Sequence, residues 1–193
     1  MGRLTKFDRM TAIDETMKFF WVKGYQNTSV RDLSEFVGVN AQSLYNAFGN
    51  KEKLYQLSLQ HYVDEVGNFT QELIDRHLTT PELLKTLLIM DWETRDYPKG
   101  CMVINTLSEF ETLPDDIHAT VESLFNFFKT TFAQLIQNMP LTIPQETAID
   151  LLLNTHNGIQ VAVRDSNYPG DLDQLATDTV GLILGGEDHE ITF

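Results

Sequence analysis

Four side chains in a row of short helical spacing, Gln42, Ser43, Tyr45 and Asn46, have the chemistry to read nucleic acid. Gln, Ser and Asn carry amide or hydroxyl groups that bond the exposed edges of bases in the major groove, and the Tyr45 hydroxyl can reach a phosphate. They lie on the second of two helix-forming runs in Thr28 to Tyr55, TSVRDLSEFVGVNAQSLYNAFGNKEKLY. Ser29 with Asp32 three residues on is a capping box, and Val30, Leu33 and Val37 then fall on one face of a first helix. Gly38 stops that helix, Val39 can plug the corner, and Asn40 is a good N-cap for a second helix over Ala41 to Ala47. Only Leu44 of this second helix must face inward, so the four polar residues face out, the arrangement of a helix-turn-helix.

The flanks supply the support. Met10, Ile13, Met17, Phe20 and Trp21 recur at helical spacing, which predicts an amphipathic helix over residues 5 to 23 stopped by Gly24. Downstream, Asn50 caps a new helix that starts at Lys51, with Phe48 placed to close over Leu54.

The run through Phe20, Gly24-Tyr25, Thr28-Ser29-Val30-Arg31-Asp32-Leu33, Gly38-Val39, Leu44-Tyr45, Phe48 and Lys51-Glu52-Lys53-Leu54 resembles the DNA-binding head of the TetR family of bacterial repressors. The match covers about fifty residues, departing from the common pattern at Gly49-Asn50 and Asn40, where both replacements still cap. The resemblance implies an all-α homodimer with a helix-turn-helix domain over residues 1–50 and a helical ligand-binding and dimerisation domain over 51–186. It also implies a double-stranded, pseudo-palindromic DNA operator and release by a small-molecule inducer. Carried onto this chain, it sets Gln42 and Asn46 at base edges and Thr28, Tyr45 and Lys51 at phosphates, with Ser29 and Ser43 completing the contact set. Arg3 and Lys6 would add nonspecific attraction from an N-terminal arm.

A net charge of −14 argues against a nucleic-acid partner until its distribution is seen. Residues 1 to 60 carry a balance of +2 and residues 61 to 193 a balance of −16, so the net negative charge lies in the body. An acidic body serves solubility and, equally, keeps all but the head away from DNA. The weak positive balance of the head predicts few phosphate contacts and a need for two heads together. Apolar runs are too short to cross a bilayer and no signal sequence is visible, which, with a single cysteine, predicts a cytoplasmic protein.

After residue 60 the pattern is helical throughout, and prolines fall between periodic segments. A long helix runs from Lys51 toward Phe69, a plausible lever for the inducer. Pro81 opens another that carries Leu84, Leu87, Leu88 and Trp92 inward and breaks at Tyr97 to Gly100. A short segment follows over Cys101 to Thr112, then an aromatic stripe from Ile117 to Met139. Two last helices, about 145–164 and 172–184, form a hairpin with wide apolar faces and small residues such as Gly158. Faces that wide favour a homodimer interface over closure of the monomer's own core. The acidic tail, 187–193, has no periodicity.

Polar residues in apolar surroundings are the pointers to an inducer pocket, His61, Trp92, Asn105, Glu109 and His156, with Phe128 from the aromatic stripe, although each taken alone reads first as a satisfied core or boundary residue. Cys101, at a helix start beside Lys99, offers a redox or electrophile sensor as the alternative, with Glu93 and Asp96 opposing ionisation and inert packing preferred. No nucleophile elbow, phosphate loop or dinucleotide fingerprint is present, and the five His are too scattered for a metal, so neither catalysis, a cofactor nor a metal is expected. A helical protein that has kept the head only as a scaffold, and a protein-interaction module, are the competing readings. Polar Gln42, Ser43 and Asn46 disfavour the second, because partner grooves want apolar anchors.

Overall fold

The computed structural model describes residues 8–185, apart from the side chains of Thr112 and Asp116. These residues are helical with no strand among them, as the periodicity predicts. The helices are α1 (Arg9–Lys23), α2 (Val30–Val37), α3 (Ala41–Phe48), α4 (Lys51–Asp75), α5 (Thr80–Ile89), α6 (Met102–Thr106), α7 (Asp115–Ile136), α8 (Gln145–Ala162) and α9 (Leu172–Leu184). Short 3-10 segments, Glu93–Arg95 and Leu107–Thr112, lie before α6 and after it. The expected arm residues Arg3 and Lys6, and the acidic tail, lie outside the described residues.

The chain divides into two compact units. The first holds the chain up to Gly67 together with Cys101–Glu122, and the second holds Asn68–Gly100 with the chain from Ser123. The boundary expected at residue 50 therefore falls inside the first unit.

In the first unit, α1 packs on α2 and α6, and α2 on α3. Ala12, Ile13, Met17, Phe20 and Trp21 of α1 are buried, whereas Met10, expected on the same face, is 58% exposed. The helix starts later than expected because Asp8 caps it, its carboxylate accepting from Thr11 N at 2.8 Å. Aromatic edges lock α1 to α4: Phe20 meets Tyr55 at 4.8 Å and Trp21 meets Tyr62 at 4.7 Å between ring centres.

In the second unit, α5 packs on both α8 and α9, and those two on each other. Thr79 and Glu82 form the capping box of α5 around Pro81. The helix ends at Ile89, short of the expected break, because Met90 turns left-handed at φ 41°. Trp92 thus lies beyond α5, buried against Phe69 and Tyr97. The α8–α9 hairpin forms as predicted, with Ala148, Leu152, Ile159, Ala176, Val180 and Ile183 buried.

Candidate nucleic-acid interface

The α2–turn–α3 geometry rests on local bonds. Asp32 accepts from the Ser29 amide at 2.8 Å and from its hydroxyl at 2.6 Å, while Ser29 Oγ accepts from Asp32 N at 3.2 Å. These bonds favour the charged carboxylate and hold Asp32 below the usual carboxylate range. Gly38 takes φ 71°, a left-handed position that glycine occupies without a Cβ penalty, and its amide donates to Ser34 O. Ser34 Oγ closes the turn by donating to Val39 O at 2.7 Å, and Asn40 Oδ1 then caps α3 through Ser43 N at 2.9 Å.

Leu44 is buried at 1% exposure and Phe48, one turn on, at 5%, so α3 has two inward anchors where one was expected. Gln42, Tyr45 and Asn46 are exposed and Ser43 is half-buried. Gln42 Nε2 donates to Asn46 Oδ1 at 3.0 Å, which holds the two candidate base readers side by side. Tyr45 is 42% exposed, a large aromatic surface left beside polar neighbours.

Among the expected phosphate contacts, Ser29 is exposed at the start of α2 and Lys51 opens α4. The Lys51 ammonium lies 4.1 Å from the centre of the Tyr25 ring. Partial burial lowers its pKa, and the Glu109 carboxylate opposes that shift. Thr28 differs from expectation. It is buried at 2% exposure and its hydroxyl donates to Gly24 O at 2.6 Å, so the group expected at a phosphate is committed to the loop.

The supports of this head include residues that the sequence pattern did not flag. Arg9 donates to Ala47 O at 2.5 Å and lies over the Phe48 ring at 4.6 Å, placing a cation on the last turn of α3. A basic residue at the start of α1 offered no local signal for this role.

Three residues expected around an inducer belong to the first unit. Glu109 accepts from Tyr25 N at 2.8 Å and Gln26 N at 3.1 Å, Asn105 donates to Trp21 O at 3.1 Å, and His61 Nε2 lies 3.4 Å from Asp14. The other three belong to the second unit. His156 Nδ1 donates to Leu87 O at 3.0 Å and its ring packs on Phe128 at 4.3 Å, both side chains being buried. Burial pushes the His156 pKa down to about 4, so the ring is neutral at pH 7. Two open cavities of the second unit, about 730 and 360 Å³, are lined by mixed charges and apolar groups. Of the six expected pocket residues, Trp92 alone lines either of these two. The six expected pocket residues are thus divided three and three between the two units, and Glu109, Asn105 and His156 are bonded to backbone groups of their own unit.

Cys101 is buried at 2% exposure. Burial pushes its thiol up, against weaker opposing hydrogen bonds from Tyr62 and the amides of Ile104 and Val103. Lys99, expected to favour the thiolate, is paired with Glu93 at 3.2 Å. A protonated, inaccessible sulfur suits packing and not sensing.

No helix among the described residues is long and apolar enough to cross a membrane. Residues 12–57 match the pattern described as "Bacterial regulatory proteins, tetR family". The HTH-type transcriptional repressor ComR of Escherichia coli (strain K12) is 32% identical over 139 residues, which cover 70% of this chain. That alignment spans 66% of ComR, a little under two thirds of its own length. A TetR-family regulator from Cytophaga hutchinsonii shares the fold with a TM-score of 0.76 at 22% identity, over 95% of this chain and 98% of that one. The TetR-family regulator CifR, solved on a 26-base-pair operator duplex, shares it with a TM-score of 0.72 at 23% identity, over 92% and 96%. With the capped helix-turn-helix, the matched pattern and an all-helical fold common to these neighbours, the chain belongs to the TetR family of bacterial regulatory proteins.

Proposed function

We propose that this chain is a transcriptional repressor that acts in the cytoplasm as a homodimer, binds a pseudo-palindromic operator through two heads, and is released by a small-molecule inducer. It catalyses no reaction in this reading. The helix-turn-helix head, with Lys51 at the start of α4, contacts the DNA, and the helices that follow respond and dimerise.

The observation that carries the reading is the outward face of α3, where Gln42 and Asn46 stand exposed on a helix fixed at both ends by its own caps. We assign Gln42 and Asn46 to base edges, Ser43 beside them, and Ser29, Tyr45 and Lys51 to phosphates. Thr28 becomes a buried anchor of the α2 start. ComR is named as a repressor and CifR was solved on its operator, and both lend weight to the same role here. For the dimer, support comes from apolar residues that the hairpin leaves outside: Leu151 and Val161 on α8, Leu175 and Leu182 on α9. The inducer arm rests on the family.

The test is selection of bound duplexes from a random pool by the purified protein, followed by titration of the enriched sequence and a scrambled control at several salt concentrations. Recovery of an inverted repeat, bound selectively and more weakly as salt rises, is the expected result. No enrichment, with equal weak binding to both duplexes, overturns the reading.

A further inference from the structure

Glu109 stands 84 residues along the chain from the loop it touches. Both of its carboxylate oxygens are used there, Oε2 on the Tyr25 amide and Oε1 on the Gln26 amide. A charged acceptor held on two adjacent amides is the strong form of a backbone bond, and it fixes the exit of α1. The fit is close: a Cβ on Gly24 would stand 2.9 Å from Oε1, and Gly24 itself is left-handed at φ 77°. The same short stretch ties the head twice more. Asn105 donates to the carbonyl of Trp21 in the last turn of α1, and Thr106 shares a 2.7 Å hydroxyl bond with Tyr55 of α4.

The loop so held carries functional weight at both ends. It leads through buried Thr28 into the Ser29 cap of α2, and the Tyr25 ring seats the Lys51 ammonium. Glu109 grips Tyr25 by its backbone while Lys51 rests on the ring of the same residue.

We infer that Glu109 is a positioning residue for DNA reading: its clamp on Tyr25 and Gln26 sets the start of α2 and the place of Lys51, and its loss weakens operator binding while the fold persists. The inference rests on the DNA-binding reading above. Glu109→Gln keeps the shape but presents an amide nitrogen to one of the two backbone donors, so one bond is lost and a donor faces a donor.

The experiment compares full-length wild type, Glu109→Gln and Glu111→Gln, the last altering an exposed neighbour on the same 3-10 segment. Operator affinity is measured against salt, and amide exchange is followed by NMR. Glu109→Gln should bind roughly 5- to 150-fold more weakly, the span of ordinary coupling between sites. Its salt slope should be shallower by about one phosphate contact per head. Exchange should quicken at Tyr25 and Gln26 while core amides of α1 and α4 keep their protection, and Glu111→Gln should match wild type. Affinity within about twofold of wild type, or weakening accompanied by lost protection throughout the unit, overturns the inference. If wild type itself selects no duplex, the DNA-binding reading fails and takes this inference with it, a result distinct from a selective wild type with an unaffected variant.

Discussion

Tyr45 and Cys101 show how exposure decides what a residue is for. Tyr45 is 42% exposed on a helix already anchored by Leu44 and Phe48, so the fold does not need its ring. Tyr45→Ala is expected to weaken operator binding about fivefold, the worth of one ordinary hydrogen bond, with the melting temperature unchanged. Equal affinity would remove the residue from the contact set. Cys101, a small group 2% exposed with its thiol pushed up, is expected to ignore thiol reagents in the native protein and to react fully once denatured. Rapid native labelling would return the sensor reading to consideration. At this scale the sequence was most legible where a side chain bonds its own neighbours: Ser29 with Asp32, Asn40 with Ser43 and Asn50 with Lys53 are all three-residue caps. It was least legible for Glu109 and His156, whose partners are backbone groups 84 and 69 residues away and carry no signature in residue type. A buried polar residue announces that it needs a partner but not whether that partner is a ligand or a distant carbonyl.

The helices were placed in the right order, α4 runs past the expected Phe69 to Asp75, and the two helices drawn too long share a cause. Periodicity continues past the true end of α5 because Trp92 is apolar and correctly spaced, while Met90 has already turned the backbone left-handed. Likewise Met10 keeps the rhythm of α1 but stands exposed in its first turn. The hairpin of α8 and α9 presents the reverse case, helices placed well whose outer face is left exposed among the described residues. Leu182 is 63% exposed and Val161 57%. Burying one such leucine is worth about 1.5–3 kcal/mol, and each counts twice across a two-fold interface. Leu182→Glu is therefore expected to convert a dimer into a monomer of unchanged helicity, read by analytical ultracentrifugation. A dimer that survives the substitution at micromolar concentration would place the interface elsewhere.

Across the whole molecule, stability should carry the mark of one buried ring. His156 is neutral in the folded chain, with burial pushing its pKa down to about 4, and on unfolding it recovers an ordinary value near 6.5. Between those values the unfolded state binds more protons, so stability falls as pH drops through the window and levels off below it. The contribution is up to about 3 kcal/mol. His156→Gln keeps a donor for the Leu87 carbonyl and removes the titration. Its melting temperature is expected to fall less than that of wild type between pH 7 and pH 4.5, and equal falls would assign the acid sensitivity to other groups. The charge division between residues 1–60 and the rest was also readable at this scale, but the compact units were not, since they depend on which later segment returns to the head. That return bears on protein engineering. A chimera that grafts residues 1–50 onto another regulator's body leaves behind Tyr55, Asn105, Thr106 and Glu109, so the loop between α1 and α2 arrives unbraced. A transplant that keeps its operator preference must carry the stretch around 101–111 as well, which makes the reading device a composite of two pieces of chain and not a cassette.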